Sequence, residues 1–161
     1  MRLRNDERKF GAIAQMLHWS VAALVLSLLP IGFYMSDLPL DFERFRYVEV
    51  HKSLGLAVLA LMIGRTLWRF FNTPPALPSE LPVWEHWAAR LTHYAIYALL
   101  LLQTAIGMSM VWAANSPLTF FGWFALPSPI SPNPAIKELA KELHELLAFA
   151  IIILVAIHIG A

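Results

Sequence analysis

The sequence predicts an all-α fold, a four-helix transmembrane bundle, from three observations. Of its 161 residues 58% are hydrophobic and only 14% charged, with a mean hydropathy of +0.59. A soluble domain carries about 25% charged residues. Four apolar runs have the length of a bilayer crossing, at about 11–35, 50–71, 87–112 and 136–161. The tryptophans Trp19, Trp68, Trp84, Trp87, Trp112 and Trp123 fall near the ends of these runs or between them, where an aromatic belt forms. The whole chain, 1–161, reads as one domain.

Residues 1–10 are polar and basic, with Arg2, Arg4, Arg8 and Lys9 set against Asp6 and Glu7. They do not read as a cleaved signal peptide, because the apolar run that follows is too long and no small-residue cleavage site succeeds it. The first span is interrupted by Gln15, His18 and two serines, and Pro30 near its end predicts a kink or a stop. Asp37 to Glu49 reads as a short charged connector. The second span opens on His51 and Lys52 and carries Arg65 and Arg69 toward its end. Asn72 to Val83, with Pro74, Pro75, Pro78 and Pro82, reads as an extended linker. After the third span, Asn115 to Pro134 is a second proline-rich loop. It is unusually apolar (Phe120, Phe121, Trp123, Phe124) and is expected to dip into the interface or cover the end of the bundle.

Basic residues set the orientation. Arg2, Arg4, Arg8, Lys9, Arg65, Arg69 and Arg90 fall on one side, and Arg44, Arg46, Lys52, Lys137 and Lys141, diluted by acids, on the other. The bias favours a cytoplasmic N-terminus, and four spans return the C-terminus there. The expected location is the bacterial cytoplasmic (inner) membrane, with lipid as the surroundings. A formal net charge of +1 offers no footprint for nucleic acid. The chain stops three residues after His158 without a basic flank, which points to a longer natural chain.

There is no cysteine. That excludes disulfides, thiolate metal sites, iron–sulfur clusters and covalently attached haem. Any haem would be held by histidine or methionine. In the fourth span His144 and His158 are fourteen residues apart, about 21 Å along a helix and within about 40° of a whole number of turns. Both imidazoles therefore leave one face, one near each side of a bilayer. Alternating spans put His51 and His144 at an outer level and His18, His93 and His158 at an inner one, with His86 in the inner interface. Taken singly, an interfacial histidine more often bonds a carbonyl or water than a metal. Matched pairs at two levels favour two stacked cofactors, since ionisable groups inside a membrane are expensive and functional.

A wide, flat porphyrin also needs small residues one turn from each ligand. His51 has Gly55, His144 has Ala140 and Ala148, and His18 has Ala14 and Ala22. His158 has Leu154 and Ala161, while His93 (Ala89, Tyr97) and His86 (Pro82, Arg90) are less suited. The expected pairs are His51 with His144 for an outer haem iron, and His18 with His158 for an inner one. His93 is left to bond a quinone carbonyl or, equally, water. Arg65 lies fourteen residues after His51 on nearly the same face and is expected to meet a haem propionate, with Arg69 snorkelling to the interface. Lys52 could meet the other haem's propionates or attract an anionic donor, but an exposed interfacial lysine needs neither role.

Several pieces resemble the bacterial cytochrome b561 family and, more distantly, the cytochrome b subunits of nickel–iron hydrogenase and respiratory formate dehydrogenase. They are Leu17-His18-Trp19, His51-Lys52-Ser53-Leu54-Gly55, Gly64-Arg65 with the stretch from Arg69 to Pro75, Leu91-Thr92-His93-Tyr94 with Tyr97 and Gly107, and His144 with His158. The likeness covers essentially the whole chain. It implies a four-helix bundle with two haem b groups on the same histidine pairs, and ubiquinone or another quinone as a partner. In some members it implies oxidation of superoxide on the outer side. The polar, basic tail usual in such proteins is missing, and no motif separates a superoxide oxidiser from a plain electron carrier.

The expected function is electron transfer across the membrane between an outer donor and the quinone pool, with superoxide:ubiquinone oxidoreductase as its enzymatic form. Two six-coordinate haems leave no open iron position, which favours outer-sphere transfer over oxygen binding. The alternative is a membrane-anchor cytochrome b subunit docking a hydrogenase- or dehydrogenase-type redox partner. A small transporter using the same histidines for ions would show no haem spectrum.

Overall fold

A computed structural model describes residues 2–7, 9–76 and 82–160. Arg8 of the basic stretch, Pro78 of the linker and Ala161 beside His158 lie outside the described residues. The elements in order are α1 (Ala12–Asp37), α2 (Phe42–Phe71), α3 (Val83–Ala113), β1 (Leu118–Phe120), β2 (Phe124–Leu126) and α4 (Pro134–Gly160). All four helices are long and apolar enough to cross a membrane. The protein is a four-helix transmembrane bundle, as the composition predicts.

The helix ends follow from local chemistry. Residues 2–5 fold back so that the Arg2 carbonyl accepts from Ala12 N at 2.9 Å, satisfying an otherwise unpaired amide at the start of α1. This return runs so close to Gly11 that a Cβ there would collide with the Arg4 backbone carbonyl. Asn5 donates to the Asn72 and Thr73 carbonyls, tying the N-terminal stretch to the end of α2. Pro30 lies inside α1, and the helix runs on past it to Asp37. α2 starts at Phe42, inside the charged stretch that reads as a connector. Charge excludes a residue from the bilayer core but not from a helix. Asp41 caps this end by accepting from Arg44 N at 3.0 Å, with Glu43 in the first turn.

α3 ends in a Schellman motif. Ser116 N donates to the Val111 carbonyl and Asn115 N to the Trp112 carbonyl, with Asn115 in the left-handed region at φ 54°. α4 begins with Pro134, where a missing N–H costs nothing, and Asn133 Oδ1 accepts from Ala135 N and Ile136 N.

The second proline-rich loop contains a hairpin that the sequence pattern does not announce. β1 and β2 pair antiparallel with Phe120 opposite Phe124. Phe121 and Gly122 turn the chain with φ of 47° and 75°, the two positive values of a type I′ turn, closed by Trp123 N to the Phe120 carbonyl. Polar groups of α2 hold the hairpin down. Ser53 Oγ accepts from Phe121 N at 2.9 Å, Thr119 Oγ1 donates to Glu49 at 2.7 Å, and Lys52 Nζ donates to the Pro117 carbonyl at 2.8 Å. Lys52 also pairs with Glu49 and is buried. The loop thus covers one end of the bundle, and Lys52 is a structural lock rather than a free surface charge.

α1 packs along α2 and α3 along α4, with α2 against α3 closing the bundle. The centre is a small cluster of Val21, Val25, Val58, Met62, Leu100 and Ile151. Most other apolar side chains face outward. Only 6–11% of each helix's most apolar window is buried within the protein, which suits lipid rather than water as the surrounding medium. Hydroxyls within the spans are satisfied by their own helices, as Thr66 by the Met62 carbonyl and Ser109 by that of Ala105.

Candidate functional site

Each helix carries two notable residues fourteen positions apart: His18 and Gly32 on α1, His51 and Arg65 on α2, His93 and Gly107 on α3, His144 and His158 on α4. Fourteen residues are nearly four turns, so each helix presents both members of its pair on one face. The antiparallel packing gathers them into two levels.

At the hairpin end, the His51 and His144 ring centroids lie 6.2 Å apart with planes at 70°. Nδ1 of each ring is buried and has no hydrogen bond. An unpartnered polar nitrogen inside a protein is costly and calls for a reason. Gly32 and Gly107 flank the pair. A Cβ on Gly32 would stand 3.4 Å from His51 Cε1, and one on Gly107 3.0 Å from His144 Cε1.

At the N-terminal end, the His18 and His158 centroids lie 6.0 Å apart at 78°. His93 stands on the other side of His158, at 5.2 Å. Its Nδ1 bonds the Ala89 carbonyl at 2.6 Å. Since a carbonyl only accepts, the neutral ring carries its proton there and leaves Nε2 an acceptor. Arg65 Nη1 lies 2.9 Å from His18 Nδ1. A guanidinium only donates, so this ring nitrogen accepts. Arg65 also stacks over Tyr97 at 5.2 Å, and Arg69 over Tyr94 at 5.4 Å. His86 stays apart and half-buried, near the Pro82 carbonyl.

Two imidazoles bound to opposite sides of one metal, at about 2 Å each, have ring centroids about 6 Å apart. The His51–His144 and His18–His158 separations meet this, and His93–His158 falls short of it. Among the described residues no group of three or more His, Cys, Asp or Glu side chains is arranged to hold a metal ion. A metal at either level would need equatorial ligands from outside the protein, as a porphyrin supplies. With buried unpaired nitrogens, small flanking residues and a cation beside one ring, the donor sets fit haem b.

Gly32 and Gln103 are absent from the residues singled out by sequence reasoning. Gln103 on α3 donates to the His144 backbone carbonyl at 3.1 Å. The recurring fourteen-residue interval would have found Gly32 and given Gly107 a place, had it been sought in every span rather than for histidine and arginine alone.

Comparison with known proteins places this arrangement among membrane cytochromes. The family model described as prokaryotic cytochrome b561 matches residues 9–161. The chain belongs to that family, and so to the b-type, electron-transferring cytochromes of bacterial membranes. It is 32% identical over 98% of its length, and 85% of the relative's, to "Cytochrome b561 homolog 2" of Escherichia coli strain K12. It is 30% identical to "Cytochrome b561 homolog 1" of the same organism, over 70% of this chain and 64% of that one. "Probable superoxide oxidase CybB" of Yersinia pestis is 26% identical over 94% of this chain and 85% of its own.

Proposed function

We propose that this protein is a di-haem cytochrome b that carries electrons across the bacterial cytoplasmic membrane between an outer donor and the quinone pool. The observation that carries the reading is the pair of histidine couples, each about 6 Å across, at opposite ends of four spanning helices. His51 and His144 hold the iron at the hairpin end, taken as the outer level, and His18 and His158 at the inner level. Haem b with two histidine ligands supplies one-electron chemistry at an iron with no open position.

The chain's own residues hold, orient and screen. α4 supplies one ligand at each level, so its rigidity sets the spacing between them. The hairpin and the Lys52–Glu49 lock shield the outer level from water. Arg65, which here donates to the His18 ring, would be placed to pair with a haem propionate, a charge-assisted and stronger interaction. His93, with Nε2 of the neutral ring an acceptor, suits the hydroxyl of the quinol that reduction of a quinone such as ubiquinone would form, rather than the quinone carbonyl expected from the sequence.

Superoxide is the donor that the Yersinia pestis relative's printed name supports. The lock removes Lys52 from the role of attracting it, which leaves Arg46, exposed and without an ion pair among the described residues. The anchor-subunit reading instead expects a second redox protein to co-purify.

Haem-replete protein is expected to show a b-type reduced spectrum with two haems per chain. His144→Ala removes the outer haem and His158→Ala the inner one. His93→Ala keeps both and slows quinone turnover. A colourless wild type sinks the reading, and loss of a haem in His93→Ala overturns the pairing. For the donor, superoxide must reduce the haems faster than it dismutates in buffer.

A further inference from the structure

Glycine inside a helix costs about 1 kcal/mol relative to alanine, and in a membrane span it is kept where something must approach the backbone closely. Gly107 lies inside α3, six residues before its last residue, at the level of His51 and His144, and the space it leaves is filled. A Cβ there would lie 3.0 Å from His144 Cε1 and 3.3 Å from Nδ1, closer than side chains pack. The imidazole edge therefore rests against bare α3 backbone. One turn earlier, Gln103 donates its side-chain amide to the His144 carbonyl.

We propose that the Gln103–Gly107 turn of α3 is a positioning device for His144: the bare backbone at Gly107 seats the ring and fixes its plane, and the Gln103 amide holds the stretch of α4 backbone that carries it. Groups around a metal ligand commonly fix its orientation from outside. Gly32 approaches His51 on α1 in the same manner but less tightly, its Cβ position lying 3.4 Å from Cε1 and 3.8 Å from Nδ1. The device rests on the haem reading above, and its grading makes it separable from that reading. At Gly107 an added methyl must push the ring; at Gly32 it meets ordinary contact.

The low-field electron paramagnetic resonance feature of a bis-histidine ferric haem moves with the angle between its imidazole planes, so it reports this seating directly. The outer haem's feature is the one that His144→Ala removes. Gly107→Ala is expected to shift or abolish it, to shift that haem's midpoint potential, and to leave the inner haem's feature in place as an internal control for folding. Gly32→Ala is expected to shift the outer feature less, as its wider contact allows, and Ser109→Ala, whose hydroxyl bonds only within α3, leaves both. Gln103→Met, which keeps the volume and deletes the amide, shifts the same outer feature and answers the question if Gly107→Ala does not accumulate. A merely structural glycine predicts the opposite pattern, since alanine improves the helix and leaves the spectrum unchanged. An unaltered outer feature and potential in Gly107→Ala, or in Gln103→Met where only that variant accumulates, overturns the proposal. A wild type without two bis-histidine signals overturns the haem reading instead.

Discussion

Arg65 shows how much one side chain decides at the N-terminal level. It reaches across from α2 to the His18 ring on α1 and stacks on Tyr97 of α3, joining three helices at one point. A positive charge beside a haem favours the reduced state, which carries one more electron. Arg65→Leu is therefore expected to lower the midpoint potential of the inner haem, on the order of tens of millivolts for a charge partly screened by protein. Arg65→Lys should keep most of the potential but hold the propionate less well, because an ammonium cannot make the forked contact. A redox titration of both variants measures this. An inner potential unmoved in Arg65→Leu would place the guanidinium away from that haem. His93 illustrates the converse. Its level is readable from span direction, but its tautomer is set by the Ala89 carbonyl one turn back, which only the folded helix provides.

Among the elements, the hairpin is the one that sequence patterning conceals. Its strands are three residues each, too short to show alternation, and two-stranded pieces are not stable alone. What stabilises it is remote in sequence: Glu49, Lys52 and Ser53 of α2. Phe121 holds a left-handed φ that a bulky residue adopts at a cost, and its amide has Ser53 Oγ as partner. Ser53→Ala takes away the partner of that part-buried amide and is expected to destabilise the hairpin's docking by about 1 kcal/mol. Thermal unfolding in detergent, with hydrogen exchange across residues 118–126, checks it. Fast exchange confined to that segment is expected, and wild-type protection there would show that Ser53 is not the anchor. The early start of α2 was hidden for a related reason. The run Phe42–Glu49 is too charged to resemble a span, yet Asp41 caps it and Tyr34 of α1 bonds Glu43 at 3.2 Å.

At the scale of the whole molecule, the distribution of arginines is the basis of the proposed orientation. The N-terminal stretch, Arg65, Arg69 and the end of α4 share one end of the bundle, and the hairpin and the start of α4 the other. Reporter fusions test the expected topology. A reporter that fluoresces only in the cytoplasm is expected to be active when fused after Gly160, and inactive in the loop at 128–132. The reverse pattern would invert the outer and inner levels and with them the direction of the proposed electron path.

The sequence by itself determined the number of spans, the two levels and the family, because each depends on composition or on distance along one helix. Hydropathy is a property of the chain, and fourteen residues are nearly four turns in any α-helix. What only the tertiary structure decided is which side chains from different helices meet. That Arg65 stands on His18, that Lys52 locks a hairpin, and that Gly32 and Gly107 make room for two imidazoles all depend on the rotation of each helix about its own axis. That rotation is set by packing against the neighbours, and no single span's sequence contains it.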